Sequence, residues 1–100
     1  GLTEAEQMPL GKYGLLRRHY LEENRPGLYT RLMLSGKLME HLQEIEQTAQ
    51  NRLESLMNEL TKQAGGTEAL KARDQMTWVQ SMNALQAQAE EKILSELIYA

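Results

Sequence analysis

The pair Gly65-Gly66 separates two long stretches that both read as helix, and it restricts the possible folds more than any other feature. Glycine ends helices in the left-handed region, and two in succession can reverse a chain in little space. On one side Leu38, Leu42, Ile45, Ala49, Leu53, Leu56 and Leu60 follow one another at steps of three and four. On the other, Trp78, Met82, Leu85, Ala89, Ile93 and Leu97 do the same, with Val79, Leu94 and Ile98 beside them. Each stripe is one face of an α-helix. The spacing predicts arms over residues 36–64 and 68–99, about 43 and 48 Å long at a rise of 1.5 Å per residue. Thr67 is the expected N-cap of the second arm, and Glu68 suits the positive end of its dipole. The two arms predict a long antiparallel helical hairpin.

Composition points the same way. The strong helix formers Ala, Leu, Glu, Lys, Gln, Arg and Met make up 65 of the 100 residues, against one Val, three Ile and no Phe. That balance favours an all-α chain and leaves almost no room for strands. With no Cys there is no disulfide, thiolate metal site or cysteine nucleophile. The longest uncharged stretch, Gln75 to Ala89, is too short and too rich in Gln to span a bilayer. No basic segment precedes an apolar run at the N-terminus, so a cytoplasmic location is expected. Gly1 stands where an initiator Met would, which predicts a segment upstream.

Ahead of the hairpin, residues 1–9 lack any period and read as a lead-in. A single helical domain is expected over residues 10–100. A first short helix is expected over 10–24, with Tyr13, Leu16, Tyr20 and Leu21 inward and Lys12, Arg17, Arg18 and Glu22 outside the stripe. Gly11 and Gly14 weaken its first turn by roughly 1 kcal/mol each relative to Ala. Pro26 ends it near Asn24 and opens a second helix over 26–35. Ser35-Gly36 then predicts a kink, or a break with Ser35 as the next N-cap. These N-terminal helices are expected to pack across the hairpin. Met39, Met57, Leu94 and Ile98 widen its apolar stripes enough to predict a homodimer.

Charge is unevenly placed. Residues 12–37 carry Lys12, Arg17, Arg18, Arg25, Arg31 and Lys37 against Glu22 and Glu23, a net of +4. Residues 38–100 carry five basic and ten acidic side chains, a net of −5. The six cations are the candidate DNA contacts: a helix–turn–helix of this sign can face phosphates, and each contact releases counterions. The bland alternative is a solvated basic face that pairs with the acidic arms.

Catalytic and metal chemistry finds no footing. His19 and His41 have no partner at metal-ligand spacing and read as surface histidines. Glu44, Glu46, Glu90 and Glu91 read as exposed acids, since adjacent glutamates on a helix diverge. Trp78 reads as core, its indole N–H bonded locally. No phosphate loop, dinucleotide fingerprint or nucleophile elbow occurs, so neither an enzyme nor a cofactor is expected.

Four stretches carry a family resemblance: LGKYGLLRRHYLEENRPGLY (Leu10 to Tyr29), LMLSGKLMEHLQEIE (Leu32 to Glu46), LKARDQMTWVQSMN (Leu70 to Asn83) and the closing SELIYA. Together they resemble the transposon-encoded protein TnpV family over about residues 9–100. The resemblance implies an accessory protein of a bacterial transposon or conjugative element. Through the family's distant likeness to phage excisionases, it also implies a DNA-binding role in excision or regulation. Excisionases use a winged-helix fold with strands, from which this chain departs. The implied partners are DNA at transposon ends, a recombinase or other element-encoded protein, or a second copy. The alternative is a helical protein-interaction module that never touches DNA.

Overall fold

The computed structural model describes residues 10–65 and 68–100, and the lead-in, Gly66 and the Thr67 cap lie outside the described residues. Among the described residues five helices pack together: α1 (Lys12–Asn24), α2 (Pro26–Leu34), α3 (Leu38–Gln63), α4 (Glu68–Arg73) and α5 (Gln75–Ile93). A π-helical turn, Leu94–Ile98, follows α5. No strand occurs among the described residues, so the fold class is all-α.

The glycines behave as helix stops. At Gly36, φ is +74°, and the flanking bonds are Gly36 N–H to Met33 O at 3.1 Å and Lys37 N–H to Leu32 O at 2.9 Å. That pair of bonds is a Schellman closure, which satisfies orphan carbonyls of α2 and needs a residue free to enter the left-handed region. Ser35 therefore does not open α3; its hydroxyl donates back to Leu32 O, and Lys37 takes the N-cap position without a side-chain cap. Gly65 also ends α3 in the left-handed region, with φ +84° and its N–H on Lys62 O at 3.1 Å.

The second arm is not one helix. Asp74 interrupts it: its backbone is extended, and its carboxylate accepts from the Thr77 N–H at 3.1 Å and the Thr77 hydroxyl at 2.8 Å. An aspartate so placed caps a new helix rather than continuing the old one. At the other end the helix widens. Tyr99 N–H bonds Leu94 O, five residues back, and this wider turn brings residues five apart onto one face. Ile93 and Ile98 are both wholly buried as a result. Ile98 is thus core of its own chain rather than a shoulder left over for a dimer.

The core lies where α1 crosses α3 and the terminal turn. Tyr13, Ile45, Ala49, Ile93 and Ile98 form one buried cluster, with Leu16, Leu53, Leu56, Leu94 and Leu97 packed against it. The glycines of α1 make that crossing possible. A Cβ on Gly14 would lie 3.2 Å from the Leu42 carbonyl oxygen, and one on Gly11 would lie 2.6 Å from Glu46 Oε1. Glu46 uses the closeness: its carboxylate accepts from the Gly14 N–H at 2.9 Å. It is half-buried and caps the start of α1 from another helix, where Gly11 offers no side-chain cap.

A larger side chain at position 14 must push α1 off the α3 backbone, so Gly14→Val is expected to destabilise the chain by about 1–3 kcal/mol. Gly27 in α2 meets nothing within 4 Å. There Gly27→Ala is expected to stabilise by about 0.5–1 kcal/mol. Urea denaturation of the two variants checks the opposite signs.

Candidate functional site

The six basic residues singled out by charge divide into two groups. Arg17 is buried, 6% exposed. Its Nη1 donates to the backbone oxygens of Ile98 and Ala100, each at 2.9 Å, and its Nε points at His41 Nε2 at 3.4 Å. The guanidinium also lies 5.6 Å from the centre of the Tyr20 ring, which itself meets Tyr99 at 5.6 Å between centroids. Arg17 thus ties α1 to the end of the chain, and it does not stand on the surface with the other cations. Burial lowers its pKa, and the nearby charge of Arg25 adds to the lowering.

Lys12 and Arg18 are exposed but paired. Lys12 Nζ meets Glu90 Oε1 at 2.6 Å, and the Tyr13 hydroxyl donates to the other oxygen at 3.1 Å. Glu90 is held below the usual carboxylate range, first by the hydrogen bond from Lys12. The Tyr13 hydroxyl is pushed up to about 12, first by burial and then by Glu90. Arg18 pairs with Glu22 one helical turn away at 3.1 Å, and the Tyr29 hydroxyl, ahead of Glu22, raises its pKa.

The remaining three are exposed, and among the described residues none has a carboxylate within ion-pair distance. Arg25 is the joint between α1 and α2. Arg31 lies in the last turn of α2, and Lys37 lies in the link to α3. The cations free to meet a partner therefore cluster around α2. Two large apolar side chains share that helix: Met33 is 50% exposed and Leu34 is 83% exposed. Met33 borders a hollow of about 260 Å³ together with Arg18, Gly36, Leu38, Met39 and Leu42.

Other expected surface groups proved to be internal. His41 is half-buried beside Arg17, and burial, then the Arg17 charge, lowers its pKa. Glu46 and Glu90 are partly buried braces on α1 rather than exposed acids. His19 does lie on the surface, next to Glu23 at 3.3 Å. Trp78 is half-buried, and its indole N–H is closed off from solvent without an acceptor, while Lys71 Nζ sits 4.8 Å from the ring centre. Among the described residues no three His, Asp or Glu converge as a metal site, and no helix is long and apolar enough to cross a membrane.

Two outcomes are expected from this geometry. Removing the buried guanidinium (Arg17→Leu) breaks two charge-assisted bonds and is expected to cost about 2–4 kcal/mol. Hydrogen exchange over residues 94–100 should then accelerate more than in the middle of α3. Because the folded His41 has a pKa below its ordinary 6.5, the unfolded chain binds the proton more readily. Stability is then full above the unfolded value and declines as pH falls through 6.5 toward the lower folded value. Melting curves between pH 7.5 and about 5 should show that decline, and His41→Gln should reduce it.

No curated protein and no solved structure matches the chain. The family model described as transposon-encoded protein TnpV matches residues 2–98, nearly the whole sequence, and the chain therefore belongs to the TnpV family of transposon-encoded proteins.

Proposed function

We propose that the chain is a non-enzymatic accessory protein of its transposon, acting in excision or regulation by binding DNA through the cations around α2. The observation that carries this reading is the trio Arg25, Arg31 and Lys37. They are exposed, lack acidic partners among the described residues, and are gathered within thirteen positions of a chain whose net charge is −3. Arg18 flanks them and can exchange Glu22 for a phosphate at little cost, since an exposed pair of this kind contributes only about 0.3–0.5 kcal/mol. Lys12 can contribute only at the edge, because Glu90 already neutralises it. Arg17 acts indirectly, by holding α1 in place.

A second reading, a helical module that docks on a recombinase or another element-encoded protein, draws support from Leu34 and Met33. Phosphates offer no match for two exposed apolar side chains, one of which, Met33, borders a hollow.

The DNA reading is tested with a fluorescent duplex carrying the transposon end, titrated at several salt concentrations. Affinity should fall with salt, with a log–log slope of about 0.9 per phosphate contacted. The R25E/R31E/K37E variant should lose the binding. No binding at low salt, or unchanged binding by this variant, overturns the DNA reading. If M33E/L34E abolishes capture of the recombinase while DNA binding is absent, the second reading stands instead.

A further inference from the structure

Among the described residues, Leu34 is the large apolar side chain most open to water, at 83% exposed. It is the last residue of α2, and the chain turns directly behind it through Ser35 and Gly36, both small and exposed. The turn is closed. The N–H groups of Ser35, Gly36 and Lys37 bond Arg31 O, Met33 O and Leu32 O at 3.0, 3.1 and 2.9 Å. With those carbonyls satisfied and Arg31 and Lys37 close in sequence, the negative end of the helix dipole is offset. Leu34 thus forms an apolar tip at a corner of the molecule.

The surroundings of that tip favour one partner. At helical spacing before Leu34 come Arg31, Thr30 and Gly27, all exposed, and none of them extends an apolar patch. Met33 lies about 100° away round the helix, at the hollow. A protein interface is built on a contiguous apolar patch, and a single leucine on a polar crest does not make one. Its charged neighbours are Arg31 and Lys37, three residues to either side, exposed and without a carboxylate among the described residues. An apolar side chain between two cations matches one feature of duplex DNA. In the minor groove, stacked bases lie between two phosphate backbones. Leucine is one of the side chains that can part such a stack, and pyrimidine–purine steps part most easily.

We propose that Leu34 enters the minor groove of the bound duplex as a wedge between two base pairs, with Arg31 and Lys37 on the phosphates beside it. The inference rests on the DNA reading and adds the groove, the residue and the kind of sequence. The favoured site is a TA or CA/TG step, selected by its ease of unstacking rather than by hydrogen bonds to base edges. Arg25, about 14 Å away at the other end of α2, takes a phosphate further along.

The test uses the full chain and transposon-end duplexes with 2-aminopurine placed in turn at each TA and CA/TG step. This base brightens when it is unstacked. The wild type should brighten it at one step, and replacing that step with an A-tract should lower affinity by about tenfold. L34A should still bind through the cations, about tenfold more weakly, and leave the base dark. Its circular dichroism should be unchanged, since Leu34 is exposed and Ala favours helix. L34M, which keeps an apolar side chain of similar size, should restore the brightening, and M33A should not remove it. Brightening that L34A leaves unchanged overturns the inference. Binding that R25E/R31E/K37E abolishes but that brightens no step overturns the wedge alone. A wild type that binds no duplex even at low salt overturns the DNA reading and the wedge together.

Discussion

A guanidinium removed from water must find acceptors, and Arg17 finds them at the far end of the chain, on the backbone oxygens of Ile98 and Ala100. The rest of the folded region depends on that choice. The π-helical turn leaves its last carbonyls without helical partners, and a buried carbonyl without a donor is costly. Arg17 supplies the donors and in doing so draws the end of the chain under α1. Tyr20 and Tyr99 then meet over the bond. On the opposite edge, Glu46 and Glu90 hold the start of α1 through Gly14 N–H, Lys12 and Tyr13. The first helix is thus anchored by polar contacts at its start and, through Arg17, in its middle, and by the buried Tyr13 and Leu21 on the same face. Its glycines are there because a carboxylate and a carbonyl of α3 occupy the space that a Cβ would take.

Much of this was legible in the sequence, and the exceptions share a cause. The stop at Gly65, an interruption at Ser35-Gly36, the start at Pro26 and the inward positions Leu42, Ile45, Ala49, Ala89 and Ile93 follow from spacing and from glycine's access to positive φ. What spacing alone concealed was the polar side of the core. Arg17 falls four residues after Tyr13 and four before Leu21, on the buried stripe of α1, yet its charge argued for the surface. Glu46, Glu90 and His41 were displaced from expectation for the same reason. Each is a polar group whose burial depends on a partner distant in sequence, and no local pattern reports such a partner.

Asp74 is a different case. Its signal was local: an Asp three residues before Thr77, at a point where the apolar stripe had not yet begun. The expected single helix over 68–99 runs straight across that cap. The consequence is physical as well as descriptive. A cap in the middle of an arm lets α4 and α5 take separate directions, and that end of the molecule holds no fully buried residue.

Two regions of different character follow from one distribution of burial. Where α1 lies across α3, polar anchors and apolar packing form the core, and Arg25, Arg31 and Lys37 stand beside it around α2, a helix with no buried residue. Those three side chains are exposed and find no carboxylate among the described residues, so their charge stays in water. Away from that crossing no third helix among the described residues covers the arms, and the polar flank is amide rather than ionic. An uncharged, half-covered surface next to a highly charged one is not a uniform solvated exterior. Charge keeps the region around α2 in water, while the stretch from Gln75 to Ala89 carries no charge to hold its water.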